Sequence, residues 1–246
     1  MHCVGKNALI CIALAAAIAS AAVADAAVAT FTSRAAFDAA IAGMFDVEIL
    51  DFDGVPDETL IPSGSSLDGV TFSYTIEDTL GSYDLIVISS FETTSGLQSL
   101  GLTSGDVLLS GDAFTMTFDR TIQAVGLYVL ADVPNNVLTE GDMELRIPGK
   151  GSVTNAAAAD LVLPGGGGAA WFLGLIETDP AAPGFNRADV LSSPPPAVSF
   201  EWNVDDVVSA VTAPEPGGAA SLAAVAALAM LGALRRPRSM RPTAGP

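Results

Sequence analysis

Val70-Thr71-Phe72-Ser73-Tyr74-Thr75-Ile76 is the stretch that decides the fold. Val70, Phe72, Tyr74 and Ile76 alternate with Thr71, Ser73 and Thr75, and a period of two places the apolar side chains on one face of an extended strand and the hydroxyls on the other. Working outward, Phe114, Met116 and Phe118 repeat the pattern against Thr115, Thr117 and Asp119, and Met143, Leu145 and Ile147 repeat it against Asp142, Glu144 and Arg146. Leu85 to Ile88, Ile122 to Leu130 and Trp171 to Ile176 are apolar on both faces, as expected of interior or covered strands. Ala197 to Asn203 and Asp206 to Thr212 are expected as the final strands. Turn chemistry separates the runs at Asp53-Gly54, Asp68-Gly69, Ser104-Gly105-Asp106, Ser110-Gly111-Asp112 and Pro148-Gly149-Lys150-Gly151. Many short strands with closely spaced turns predict an all-β fold, an antiparallel β-sandwich.

One short helix precedes the strands. In Phe31 to Gly43, Thr32 or Ser33 can cap the start, Gly43 can end it, and Phe37 and Ile41 fall on one face. Gly165 to Gly168 lacks a following Lys-Ser or Lys-Thr and is read as a loop rather than a phosphate cradle.

Both ends differ from this middle. Lys6 and His2 precede an uncharged run from Ala8 to Ala24, followed by two Ala-Val-Ala sites ending at Ala24 and Ala29, which is the pattern of a secretory signal peptide cut by signal peptidase. Cys11 does not fit a lipoprotein site, because Ile10 stands where a small residue is needed. At the other end Pro214-Glu215-Pro216 leads into the uncharged run Gly217 to Leu234 and then Arg235, Arg236 and Arg238. About 18 apolar residues suffice for one helical membrane span, and the arginines favour a cytoplasmic end. The chain thus divides into a signal peptide (1–29), one domain (30–213) and a tail (214–246) with a transmembrane helix over 217–234.

Removing the two ends takes away His2, Cys3 and Cys11, the sole histidine and both cysteines. Residues 30–213 keep 26 acidic and 5 basic side chains, a formal charge near −21. Such a domain repels phosphates, which argues against nucleic acid as a partner. Without imidazole or thiol it has no Ser-His-Asp or Cys-His mechanism and no ordinary zinc ligands. Carboxylate pairs such as Asp51 with Asp53, or Asp205 with Asp206, leave a glycosidase formally open. Trp202 shares a strand face with Val198, Phe200 and Val204, and Trp171 alternates with Leu173 and Leu175, so both are expected in the core. Tyr83 and Phe185, in polar or proline-rich surroundings, are the better candidates for exposed rings.

The order of motif, apolar span and basic end resembles the PEP-CTERM sorting signal of Gram-negative bacteria, although residues Ser239 to Pro246 extend beyond the usual stop after the arginines. That resemblance implies an exosortase-type enzyme as partner, with Pro214, Glu215, Pro216, Arg235 and Arg236 as its recognition elements. It also implies transient anchoring in the inner membrane, then release to the cell surface or extracellular matrix.

The segments Leu50 to Pro56, Phe114 to Phe118, Ala124 to Leu127, Trp171 to Leu175 and Val204 to Val207 look like the jelly-roll domain often found ahead of such tails, which is similar in outline to bacterial carbohydrate-binding modules. In similar domains the first and last strands lie close and a structural calcium sits at the junction. The resemblance therefore implies Asp51, Asp53, Asp205 and Asp206 as calcium ligands, calcium being a hard cation that takes several oxygens. The function expected is a structural or adhesive protein of the surface or exopolysaccharide matrix, without catalysis. The alternatives are a carbohydrate-binding module with a defined glycan and a carboxylate-dependent glycan-active enzyme.

Overall fold

The computed structural model describes residues 28–76, 81–132, 137–179, 181–193 and 199–212. In chain order these form β1 (Val28–Phe31), α1 (Arg34–Ile41), β2 (Phe45–Leu50), β3 (Leu60–Ile61), β4 (Ser66–Leu67), β5 (Val70–Tyr74), β6 (Leu85–Ile88), β7 (Ser99–Leu102), β8 (Leu108–Leu109), β9 (Ala113–Ile122), β10 (Ala124–Asp132), β11 (Met143–Ile147), β12 (Gly151–Thr154), β13 (Leu161–Val162), β14 (Gly168–Glu177), β15 (Phe185–Ser192) and β16 (Glu201–Val211). The larger sheet runs β1-β14-β10-β16-β7-β6-β3, with β13 beside β14 and both β2 and β8 beside β16. The smaller runs β12-β11-β15-β9-β5-β4, and the pairings in both are antiparallel.

The alternating segments put their apolar residues between the two sheets. Phe72, Phe114, Met116, Phe118 and Leu145 from the smaller sheet join Leu127, Val129, Trp171, Leu173, Trp202 and Val204 from the larger in one buried cluster. The expected all-β architecture is thus present, two antiparallel sheets over a shared core, with one helix among the described residues.

A second cluster explains why β10 and β14 lack an outer polar face. Helix α1 lies across the outside of the larger sheet and buries Phe37 and Ile41 with Tyr128, Leu130, Phe172, Val208 and Ala210. Gly126 and Gly174 are register partners across β10 and β14, and a Cβ on Gly174 would stand 2.6 Å from Phe37 Cδ2 and 2.8 Å from Phe172 Cε1. The absent side chains make the hollow that Phe37 fills, and its ring tilts against Phe172 at 5.2 Å.

Three boundaries differ from expectation. The apolar run Ile122 to Leu130 is not one strand: Ile122 ends β9 in the smaller sheet, Ala124 opens β10 in the larger, and the backbone N–H of Gln123 at the crossing donates to the Ala210 carbonyl. The run reads as continuous because Ile122 faces the inter-sheet core while β10 is covered on both faces. The expected final strands join as one, β16, through a bulge at the aspartates. Ser33 does cap α1 by position, yet its side chain makes no capping bond. Instead the backbone N–H of Arg34 donates to Asp160 Oδ2 at 2.9 Å, a carboxylate at the positive end of the helix.

The second Ala-Val-Ala site, Ala27 to Ala29, runs into β1, whose Val28 and Ala29 pair with Glu177 and Ile176. The rest of the expected signal peptide lies outside the described residues, as do the sorting motif, the arginines and the expected transmembrane helix. Among the described residues no helix is long and apolar enough to cross a membrane.

Candidate functional site at the acidic bulge

Asp205 and Asp206 occupy the middle of β16. From Tyr128↔Asp205 to Gly126↔Val208, β16 uses one residue more than β10, and Asp206 takes the left-handed φ of +50° that this bulge needs. The extra residue inverts the alternation along the strand: Trp202, Val204 and Val207 all reach the inter-sheet core, while Val208 and Ala210 face the helix. Asp205 is fully buried and Asp206 nearly so.

The segment between β6 and β7 folds over this pair and supplies donors. Asp205 Oδ2 accepts from the Thr94 backbone N–H at 2.8 Å and from the Thr94 hydroxyl at 2.6 Å. Asp205 Oδ1 accepts the N–H of Asp206 at 2.8 Å. Asp206 accepts from the Ser95 hydroxyl at 2.7 Å, its other oxygen lies 3.0 Å from Thr94 Oγ1, and Arg34 stands 3.8 Å away. The Thr94 hydroxyl carries a single hydrogen, yet it lies within reach of both carboxylates. With both ionised, one of those contacts lacks its proton. A proton on Asp205 Oδ2 can be donated to Thr94 Oγ1 while the Thr94 hydroxyl donates to Asp206, which satisfies the chain. Burial in the low-dielectric interior, opposed by the Thr94 bonds and reinforced by the charge of Asp206, pushes the Asp205 carboxyl up to about 7.

Asp53 grips the far end of the same segment, with Oδ1 accepting the backbone N–H groups of Leu97 at 2.7 Å and Gln98 at 3.1 Å. Gly96, at φ +54°, makes this approach feasible, since a Cβ there would stand 1.3 Å from Asp53 Oδ2. Asp51 accepts the Asp53 N–H at 3.1 Å. Phe52 between them holds a left-handed φ of +63° and is completely buried, so core packing fixes where both carboxylates point.

The fold therefore brings three of the four aspartates to one segment, 94–98, with Asp53 at one end and Asp205 and Asp206 at the other, while Asp51 is joined to them only through its bond from the Asp53 N–H. The groups aimed at these oxygens are N–H and O–H donors, whereas a calcium ion needs oxygens turned toward it. As folded, this donor set does not fit the ion. Among the described residues no group of three or more His, Cys, Asp or Glu side chains stands ready for a metal.

Other carboxylates are also engaged. Burial would raise the Asp189 carboxyl, but hydrogen bonds from Thr115, Arg187 and Arg146 outweigh it and hold the group below the usual carboxylate range. Lys150 reaches the buried Glu177 at 2.5 Å. The five basic side chains of the described residues, Arg34, Arg120, Arg146, Lys150 and Arg187, are all in ion pairs.

Trp202 and Trp171 lie in the core as expected, and the Trp202 Nε1–H donates to the Leu109 carbonyl at 3.0 Å. The expectation of exposed rings at Tyr83 and Phe185 is corrected. Phe185 begins β15 and is buried opposite Ile122, and Tyr83 packs partly buried against the core. Both lie where the chain re-enters a sheet, so they turn inward. Phe45 is the exposed aromatic among the described residues, at 60%. The glycine loop carries its own anion, because a Cβ on Gly165 would stand 1.7 Å from Glu92 Oε1.

Nothing in the sequence around Thr94-Ser95-Gly96 signalled that it covers the aspartates, because the partners lie over a hundred positions apart. No model of a protein family, no curated protein and no solved structure matches the chain.

Proposed function

We propose that this is an exported protein, carried by an exosortase-type system to the cell surface or exopolysaccharide matrix of a Gram-negative bacterium. There a jelly-roll-like domain has a structural or adhesive role without catalysis. The observation that carries the proposal is the sequence order of Pro214-Glu215-Pro216, an uncharged span and an arginine cluster. The fold is compatible with it, since β16 ends at Val211 and the motif follows the folded body within a few residues. A strongly acidic domain whose cations are all paired stays soluble and dispersed outside the cell, which supports the same reading. Both tryptophans are buried, so neither offers a ring platform of the kind a dedicated glycan-binding module uses.

The test is replacement of Pro214, Glu215 and Pro216 by alanine, followed by fractionation of the producing cells. The variant is expected to cross the inner membrane and remain held there by its apolar span, while the wild type proceeds outward. Equal delivery of both to the surface or medium would reduce the motif to a linker.

A further inference from the structure

The corner of the sandwich at β2 is built differently from the rest. β2 pairs with β16 through Leu50↔Val207, Ile49↔Val208 and Ser209↔Glu48, and among the described residues no strand pairs with its other edge. Alternate N–H and C=O groups along a strand point to each side, so an edge of this kind offers a row of unpaired donors and acceptors. Val47 and Ile49 are 44% and 50% exposed on the outer face of that edge, where Ile49 pairs with Val208; Phe45, 60% exposed, lies beyond a bulge at Asp46, whose φ is +53°, and pairs with Val211, which packs on the inter-sheet side. The other face of β2 turns toward the smaller sheet, where Arg120 crosses from β9 to pair with Asp46 and, at 2.8 Å, with Glu48. Beside this bridge the sheets leave a cleft of about 310 Å³, its apolar wall made by Leu50, Val70, Phe118 and Val207 and its polar wall by Glu48 and Asp68.

These features specify one kind of occupant. A strand added to β2 would take up the edge hydrogen bonds and lay alternate side chains outside and inside. Outside, apolar side chains would cover Val47 and Ile49. Inside, a long side chain would pass its stem along Val70 and Phe118 and its head to Glu48 and Asp68, and that head must be a cation. Asp46, Glu48 and Asp68 against Arg120 leave the corner net negative. The same charges disfavour a second copy of this chain, because antiparallel pairing of two β2 edges would set acidic residues against acidic residues. We propose that the β2 edge binds an extended polypeptide segment in which apolar residues alternate with lysine or arginine, by strand addition.

The probe is a fluorescent, end-blocked peptide alternating valine and lysine, measured by anisotropy against the full-length protein in mild detergent. Three comparisons accompany it: the same peptide N-methylated along one edge, a peptide with glutamate in place of lysine, and the Asp68→Asn protein. Asp68 has a φ of +44°, and among the described residues no hydrogen bond from its side chain constrains the exchange, so asparagine, which tolerates that backbone, keeps the turn. The lysine peptide is expected to bind, more tightly as salt falls, with Asp68→Asn weakening it about tenfold and both altered peptides losing binding. Failure of the lysine peptide to bind at millimolar concentration overturns the proposal. So does binding that survives N-methylation, because strand addition requires those N–H groups, or binding that is indifferent to the sign of the peptide's charge.

Discussion

Lowering the pH from about 8 to about 5.5 should make this protein more stable, against the usual behaviour of an acidic domain with paired carboxylates. The cause is Asp205, whose folded-state value is raised to about 7 by burial, against about 3.9 for an unfolded aspartate. Between those values the folded chain holds a proton that the unfolded chain has released. The stabilisation is therefore fully present below the unfolded value and is lost as the pH rises through the folded one. The whole displacement corresponds to roughly 4 kcal/mol, of which a change from about pH 8 to about pH 5.5 recovers roughly 2 kcal/mol. For a domain of this size that is about 4–8 °C in the melting midpoint. Residues 28–212 contain no histidine and ordinary carboxylates stay ionised in this window, but burial also raises the Asp112 carboxyl, which adds a slope of the same sign.

Thermal melts of the full-length protein at matched ionic strength measure the effect. Asp205→Asn, which cannot titrate, should remove most of the slope and leave the part owed to Asp112, and Asp206→Asn should move the transition to lower pH by removing the neighbouring charge. A wild-type midpoint that does not rise on acidification, or an equal slope in Asp205→Asn, refutes the reasoning. Repeating each melt with millimolar calcium and with chelator separates proton from metal. Midpoints are expected to agree, and a calcium-dependent rise lost in Asp205→Ala and Asp53→Ala would put the ion back among these residues.

The remaining expectations concern the helix face and the N-terminus. Gly174→Ala drives a methyl into Phe37 and Phe172 and should cost about 1–3 kcal/mol by denaturant melt; much of that penalty should vanish when measured in a Phe37→Ala background, and strict additivity of the two changes would show that they do not share a cavity. Exported protein should begin at Asp25 rather than Thr30 by mass spectrometry, since cutting after Ala29 removes half of β1; a sole start at Thr30 would show that the first half of that strand is dispensable.

Much of the inter-sheet core was legible because the smaller sheet has one wet face. Thr71, Ser73, Thr115 and Thr117 mark its outside as clearly as Phe72 and Met116 mark its inside. The helix was legible through Phe37 and Ile41, but its seat was not, since Gly126 and Gly174 mean a hollow only once they are set side by side. In β16 the alternation inverts at Asp205 and Asp206, and a strand whose period breaks reads as two strands with a turn between them. Asp53, Asp205 and Asp206 meet on segment 94–98, whereas their chemistry was not legible in the sequence. Whether a carboxylate meets a cation, an N–H or a proton depends on segment 94–98, which the local pattern leaves anonymous.

β16 is the last of the described strands to emerge during synthesis, yet it lies at the middle of the larger sheet, where β10 flanks it on one side and β2, β7 and β8 on the other. Until Glu201 to Val211 has been made, β10 lacks one neighbour and β2 and β8 lack the strand they pair with. Folding therefore waits for the whole body of the chain to leave the ribosome. A chain whose larger sheet closes only on its last strand keeps that sheet open for most of its synthesis.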